Sequence, residues 1–149
     1  MLKSRRSLCL VTGASQFLGA HISRALAEEV APGSTLILSS RSTDRLQKVR
    51  DDIQQTVGRD KIRIHLVQWD LRNPNADQYE RDLKHALEGS QAETYEVALV
   101  VHNAAQLGDL SRKVEDMRNV QELQEQLNIN LVSLLVLNSV WLGLVKNAK

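Results

Sequence analysis

The chain has 149 residues, 42% of them hydrophobic and 25% charged, and its 19 Lys and Arg nearly cancel its 18 Asp and Glu for a formal charge of +1. That length builds one domain with a real core and is too short for two, and so even a charge balance gives no reason to expect a nucleic-acid partner, which would need a basic excess or stripe. A single cysteine, Cys9, excludes an internal disulfide; lying in an apolar run, it reads as a small buried hydrophobe in a reducing compartment.

Taken from the N-terminus, Lys3, Arg5 and Arg6 precede apolar residues as in a signal peptide, but the run Leu8 to Val11 is too short for one and ends in Thr12-Gly13. "SLCLV" (7–11) reads as a first strand, followed by a helix over about 17–30 with apolar Leu18, Ile22, Ala25, Leu26 and Val30 sharing one face. "APG" (31–33) ends that helix and "STLILSS" (34–40) is the second strand. Ser42 or Thr43 can cap the next helix, Asp44 suits its first turn, Leu46, Val49, Ile53 and Val57 form its apolar face, and Gly58 stops it. "KIRIHLVQWD" (61–70) is the third strand, with Ile62, Ile64 and Leu66 alternating against polar residues. A helix over about 75–88 follows, carrying Tyr79, Leu83, Ala86 and Leu87 and closed by Gly89. "EVALVV" (96–101) is the fourth strand, continuously apolar as expected of a strand covered on both faces. After a loop around "HNAAQLGD", a long helix runs from about Val120 towards Val145. Its apolar stretch Leu131 to Val145, broken by Ser133, Asn138 and Ser139, is shorter than a membrane span and reads as a buried helix, so a cytoplasmic protein with no membrane partner is expected.

Strict alternation of four β-α units predicts an α/β fold: a doubly wound, Rossmann-like parallel sheet in strand order 3-2-1-4, with helices on both faces. Ligands bind such sheets beyond the carboxyl ends of the strands, where the order reverses. Four segments fall on that rim: 12–19, 39–42, 70–71 and 102–106. Gly13 permits a tight turn out of the first strand, Gly19 lets the first helix lie close to the sheet, and the amides between them, with the Ser15 hydroxyl, favour an anion. The loop departs from G-x-G-x-x-G, and Thr-Gly before a helix also occurs as plain turn chemistry.

At the second strand end stands Ser39-Ser40-Arg41-Ser42, with no carboxylate before Asp44. NAD sites tend to carry an acidic residue there for the ribose hydroxyls; an Arg fork and a hydroxyl suit a 2′-phosphate instead. The segment therefore leans to NADP, against the plain alternative of a solvated loop arginine. Asp70 can accept from an adenine amino group or cap a turn. Asn103, ahead of Ala104 and Ala105, makes either a ligand-facing turn or an ordinary Asx turn. The histidines (21, 65, 85, 102) and Cys9 have no paired spacing, so no metal site is expected.

"TGASQFLG", "SSRS", "WDL", "HNAA" and "LNINLVSLL" follow one another in the order and spacing of the short-chain dehydrogenase/reductase family, and the resemblance runs from Leu8 to about Leu142. It is similar in particular to a branch of NADPH-dependent carbonyl reductases of tetrahydrobiopterin synthesis, which are cytosolic and homodimeric. The resemblance implies a small, pterin-like carbonyl substrate, NADP (NADPH) as cofactor, and a homodimer formed through the 120–145 helix. It makes Gly13, Ala14, Ser15, Gln16, Phe17, Leu18 and Gly19 the pyrophosphate loop. Arg41 and Ser42 would take the 2′-phosphate, Asp70 and Leu71 flank adenine, and Asn103, Ala104 and Ala105 form the turn beside the cofactor. Asn130 matches the family's helix asparagine, a supporting residue that helps organise a proton-relay water.

Departures from the family pattern bear on cofactor affinity. Phe17 replaces a glycine, Gln16 stands where a basic residue often assists NADP, and His102 and Ala105 alter the Asn-Asn-Ala-Gly turn. The family's proton donor is a tyrosine with a lysine four residues on, helped by a serine from the next strand. Here Tyr79 is followed at that spacing by Leu83 and Tyr95 by Leu99. The expectation is a cofactor-binding half, C-terminally incomplete relative to the family, with an open sheet edge at the fourth strand and apolar residues exposed. The alternatives are a non-catalytic nucleotide-binding or dimerising module that regulates a full-length reductase, and an enzyme using another nucleotide on the same scaffold.

Overall fold

A computed structural model describes residues 2–3, 5–88 and 95–146. Its strands are β1 (Ser7–Thr12), β2 (Ser34–Ser40), β3 (Ile62–Gln68) and β4 (Val97–Val101), and its first helices are α1 (Phe17–Glu29), α2 (Thr43–Val57) and α3 (Ala76–Leu87). A single 3-10 turn (Val114–Asp116) precedes α4 (Val120–Leu127), which passes through a π-helical turn (Asn128–Val132) into α5 (Ser133–Lys146). The stop at Gly89 lies outside the described residues.

All pairings are parallel and the order is β3-β2-β1-β4, so the chain reverses direction of growth between β1 and β4. The central strands β1 and β2 are buried throughout. Alternation sends Cys9, Val11, Leu36 and Leu38 to one face, against Ala20 and Ala27 of α1 and Leu46, Val49 and Ile53 of α2. Leu8, Leu10 and Ile37 face the other way, onto Tyr79, Leu83 and Ala86 of α3 and Leu137 and Trp141 of α5. Two cores, one on each face of a single sheet, make the doubly wound sandwich that the alternating pattern implies. Trp69 and Tyr79 lie at the centre of the second core with ring centroids 4.7 Å apart, and the indole Nε1 donates to Asp82 Oδ2 at 2.9 Å.

Three local expectations hold only in part. The buried residues of α1 are Gly19, Ala20, Ser23 and Ala27; of the apolar face, Val30 at its C-terminal end is buried, Ile22 and Leu26 are half-buried against the core, and Leu18 and Ala25 are exposed. A helix lying this close to the sheet accepts only small side chains in the seam. β4 packs on both faces, Val100 against one core and Leu99 and Val101 against the other, but only partly: its residues are half-buried, with Ala98 exposed, at the edge of the sheet where β1 is its one neighbour among the described strands. The last helix is buried along one face only, at Ile129, Ser133, Leu137 and Trp141, four residues apart each time. Since α4, the π turn and α5 are continuous, the helix runs 27 residues from Val120 to Lys146, beyond the apolar stretch Leu131 to Val145, and by length and composition alone is long and apolar enough to cross a bilayer. Leu127, Leu131, Leu135 and Leu142 lie open on its outer side.

Candidate functional site

The carboxyl ends of the four strands open onto one cavity of about 510 Å³, within the range of small-molecule and cofactor sites. Its floor is the turn between β1 and α1. Gly13 has φ 66°, and a Cβ there would come within 3.0 Å of Ala104 Cα. A Cβ on Gly19 would run into the Gly13 carbonyl, so helix, turn and the segment after β4 meet where no side chain fits. Gln16 occupies the cap position of α1 without a capping hydrogen bond from its side chain. The amides of the first helical turn, which have no partner within the helix, are left for a ligand.

Phe17 is the first residue of α1 and has φ 47°, the one non-glycine residue among those described with a positive φ. That backbone conformation favours glycine and costs a bulky residue about 1–2 kcal/mol. The residue is 78% exposed and stands at the cavity wall with Leu18, so the side chain recovers little of that cost by burial.

Asn103 and Thr12 tie the two sides of the topological switch together. Asn103 Nδ2 donates to the carbonyls of Thr12 (3.0 Å) and Gly13 (3.2 Å), while the Thr12 hydroxyl accepts from the amides of Asn103 and Ala104, both at 3.1 Å. The Ala14 amide donates to the Ser39 carbonyl at 3.0 Å, which fixes the same turn to β2.

At the end of β2, the Ser40 hydroxyl accepts from the Ser42 amide at 2.9 Å, and Ser42, the cap residue of α2, makes no side-chain capping bond. Its hydroxyl and the exposed Arg41 are thereby open to the cavity. At the third strand end, Arg72 grips Asp70 with both Nε (3.0 Å to each oxygen) and Nη2 (2.6 Å to Oδ2). That guanidinium holds the Asp70 carboxyl below the ordinary carboxylate range.

The residues expected at the site converge with two exceptions. Gly13, Ser15, Gln16, Phe17, Leu18, Gly19, Arg41, Ser42, Asp70, Leu71, Asn103, Ala104 and Ala105 all line the cavity. Ala14 is buried behind the loop. Asn130 lies away from the lining and spends its amide on the chain itself: Oδ1 accepts from the Gln106 amide (2.9 Å) and Nδ2 donates to the Gln106 carbonyl (2.7 Å). This bridge joins the π turn to the loop after β4, and the turn in turn lends Ile129 to the cavity wall. Sequence reasoning missed Arg45, Trp69 and Ile129, while Gln106 fell within the rim segment 102–106. Ser39 and Ser40 fell within the rim segment without being singled out.

Neither tyrosine reaches the cavity. Tyr79 is sealed in the core, where burial pushes its hydroxyl up. Tyr95 stands ahead of β4 at the amino end of the sheet, under the Arg6 guanidinium (5.2 Å to the ring centroid) and accepting from Arg63 Nη2 at 2.8 Å.

The sequence profile of the short chain dehydrogenases matches residues 7–148. The chain belongs to the short-chain dehydrogenase family. It is 32% identical to the sepiapterin reductase of Bos taurus over 136 residues, which cover 90% of this chain and 49% of that enzyme, and 30% identical over 135 residues to that of Mus musculus, with 89% and 49% covered. The chain thus spans about half the length of the curated relatives it matches. Among solved structures, a short-chain dehydrogenase from Pseudomonas syringae superposes with a TM-score of 0.79 at 23% identity, covering 98% of this chain and 53% of that one. A short-chain dehydrogenase from Escherichia coli CFT073 complexed with NADPH gives 0.74 at 24% identity, over 96% and 54%. Carveol dehydrogenase from Mycobacterium avium in complex with NAD gives 0.78 at 17% identity, over 99% and 52%. At these identities the structures establish the short-chain dehydrogenase fold and nothing finer.

Proposed function

We propose that these 149 residues form the NADPH-binding half of a cytoplasmic carbonyl reductase that acts on a small, pterin-like compound in tetrahydrobiopterin synthesis, as the name of the sepiapterin reductase relatives supports. One observation carries the cofactor part: a single cavity brings the Gly13–Gly19 turn together with Arg41 and the Ser42 hydroxyl, and no carboxylate from the end of β2 lines it. The loop amides and Ser15 would hold the pyrophosphate, Arg41 and Ser42 the 2′-phosphate, and Asp70 and Leu71 the adenine. The tight packing at Gly13 and Gly19 holds the loop against Asn103 and Ala104, and the bound cofactor would supply the hydride. The side chains of Asn103 and Thr12 keep the turn in shape, and Asn130 holds the loop that follows β4.

Both tyrosines stand outside the cavity and neither has a lysine four residues on. We therefore assign these residues cofactor binding without carbonyl turnover of their own. A thermal-shift series tests both halves of the reading. NADPH should raise Tm in a saturable way and NADH less, while a diketone or sepiapterin added with NADPH produces no loss of absorbance from the reduced nicotinamide. Steady oxidation of NADPH by the pure chain would refute the second half, and a Tm unmoved by either dinucleotide would refute the first.

The exposed stripe Leu127, Leu131, Leu135 and Leu142 favours a second reading beside this one: a nucleotide-binding module that dimerises through the Val120–Lys146 helix, with itself or with a longer reductase. The two readings share the cavity and differ in what the helix covers.

A further inference from the structure

The wall of the cavity next to β2 carries two guanidinium groups. Arg41 follows the strand, and Arg45 sits in the first turn of α2, past the Ser42 cap. Arg45 is held in place: its Nη1 donates to Gln16 Oε1 at 2.7 Å, reaching from α2 to the turn ahead of α1. A neutral amide orients a guanidinium without cancelling its charge. Nearby arginines are neutralised, Arg24 by Asp52 at 2.7 Å and Arg50 by Asp51 at 2.9 Å, whereas among the described residues neither Arg41 nor Arg45 has an ion pair. Asp44 shares the first turn of α2 but does not line the cavity, and Asp70, the acid of the opposite wall, is engaged by Arg72. Two guanidinium groups without an ion pair among the described residues, Arg41 acted on by the Asp70 charge but not bridged to it, and the Ser42 hydroxyl are therefore concentrated at one corner. A planar guanidinium fork there matches a phosphate monoester.

Building on the NADP reading above, we infer that Arg45 is a second determinant of NADP over NAD, presented by Gln16 so that it binds, with Arg41, the phosphate on the adenosine 2′-hydroxyl. Gln16 acts through Arg45 and is a positioning residue. The combination makes the discrimination depend on two elements, the α1 turn and the α2 first turn, held together by one hydrogen bond.

The test measures dissociation constants for NADPH, NADH, adenosine 2′,5′-bisphosphate and 5′-AMP with the unaltered chain and with Arg45→Met and Gln16→Ala. Arg45→Met should weaken NADPH and the bisphosphate about tenfold, the size of one charge-assisted phosphate contact, and leave NADH and 5′-AMP within about twofold. Gln16→Ala should move the same two ligands in the same direction by less, since the cation remains but is no longer held. Added salt should shrink the NADPH advantage of the unaltered chain more than that of Arg45→Met. An unchanged NADPH-to-NADH ratio in Arg45→Met, or equal weakening of all four ligands, overturns the inference while leaving the NADP reading intact. Failure of the unaltered chain to bind either dinucleotide overturns both.

Discussion

Phe17 and Gly19 are two residues apart on the same turn and obey opposite constraints. Phe17 holds a φ of 47° with its ring mostly in solvent, so replacing it by glycine removes about 1–2 kcal/mol of backbone strain against about 0.5–1 kcal/mol of added chain entropy. Phe17→Gly should raise the urea midpoint, by a net gain of about 0.5–1 kcal/mol, and a lower midpoint would show that the ring has a packing role. Gly19→Ala should do the reverse, because a methyl there meets the backbone of Gly13, which has no side chain to swing away; a loss of about 1–3 kcal/mol is expected in the same titration. Asp70 supplies a pH signature. Its folded pKa is depressed below the ordinary 3.8, first by the Arg72 hydrogen bonds. The stabilisation it gives is therefore present above that value and lost as pH falls through the folded one. Arg72→Met should be less stable than the unaltered chain at neutral pH, and the gap should close as acid protonates Asp70 in both. A gap that stays constant down to the acid transition would assign Arg72 to packing.

Among the elements, the last helix makes the sharpest claim. Its inner face is spent on α3 and the sheet through Ile129, Ser133, Leu137 and Trp141, while Leu131 and Leu135 are 50% and 58% exposed on the outer side. If that side joins a second copy, the double substitution Leu131→Glu and Leu135→Glu should yield a monomer in sedimentation velocity and leave the melting transition cooperative. A monomer already present in the unaltered chain would remove the claim. The order of strands and the two-faced core were legible in the sequence because β1 and β2 are continuous apolar runs and α2 keeps a clean stripe at Leu46, Val49 and Ile53. The seam of α1 was not, since hydrophobicity ranks Leu18 and Leu26 above Gly19 and Ser23, and only the closeness of helix to sheet reverses that order. β4 was legible in part: "VALVV" packs against both cores as its composition implies, and its half-exposure follows from its place at the open edge of the sheet.

For the molecule as a whole, the rim of the sheet could be read in advance because the strand order determines where it lies, and Gly13, Arg41, Asp70 and Asn103 each stand at a strand end. What could not be read were the long-range partners. Asn103 gives no sign in the sequence that it will clamp Thr12 and Gly13, Asn130 none that it will hold Gln106, and Arg45 is indistinguishable from any solvated arginine on a helix until Gln16 is seen beside it. The account of the whole stands on one idea, that the anion-binding turn and the cationic corner after β2 act together on a phosphorylated dinucleotide. Isothermal titration of the 149-residue chain with NADPH and with NADH at low ionic strength measures this most directly. The account predicts saturable binding of NADPH at least about tenfold tighter than NADH. Equal affinity for the two, or no heat from either, would contradict it.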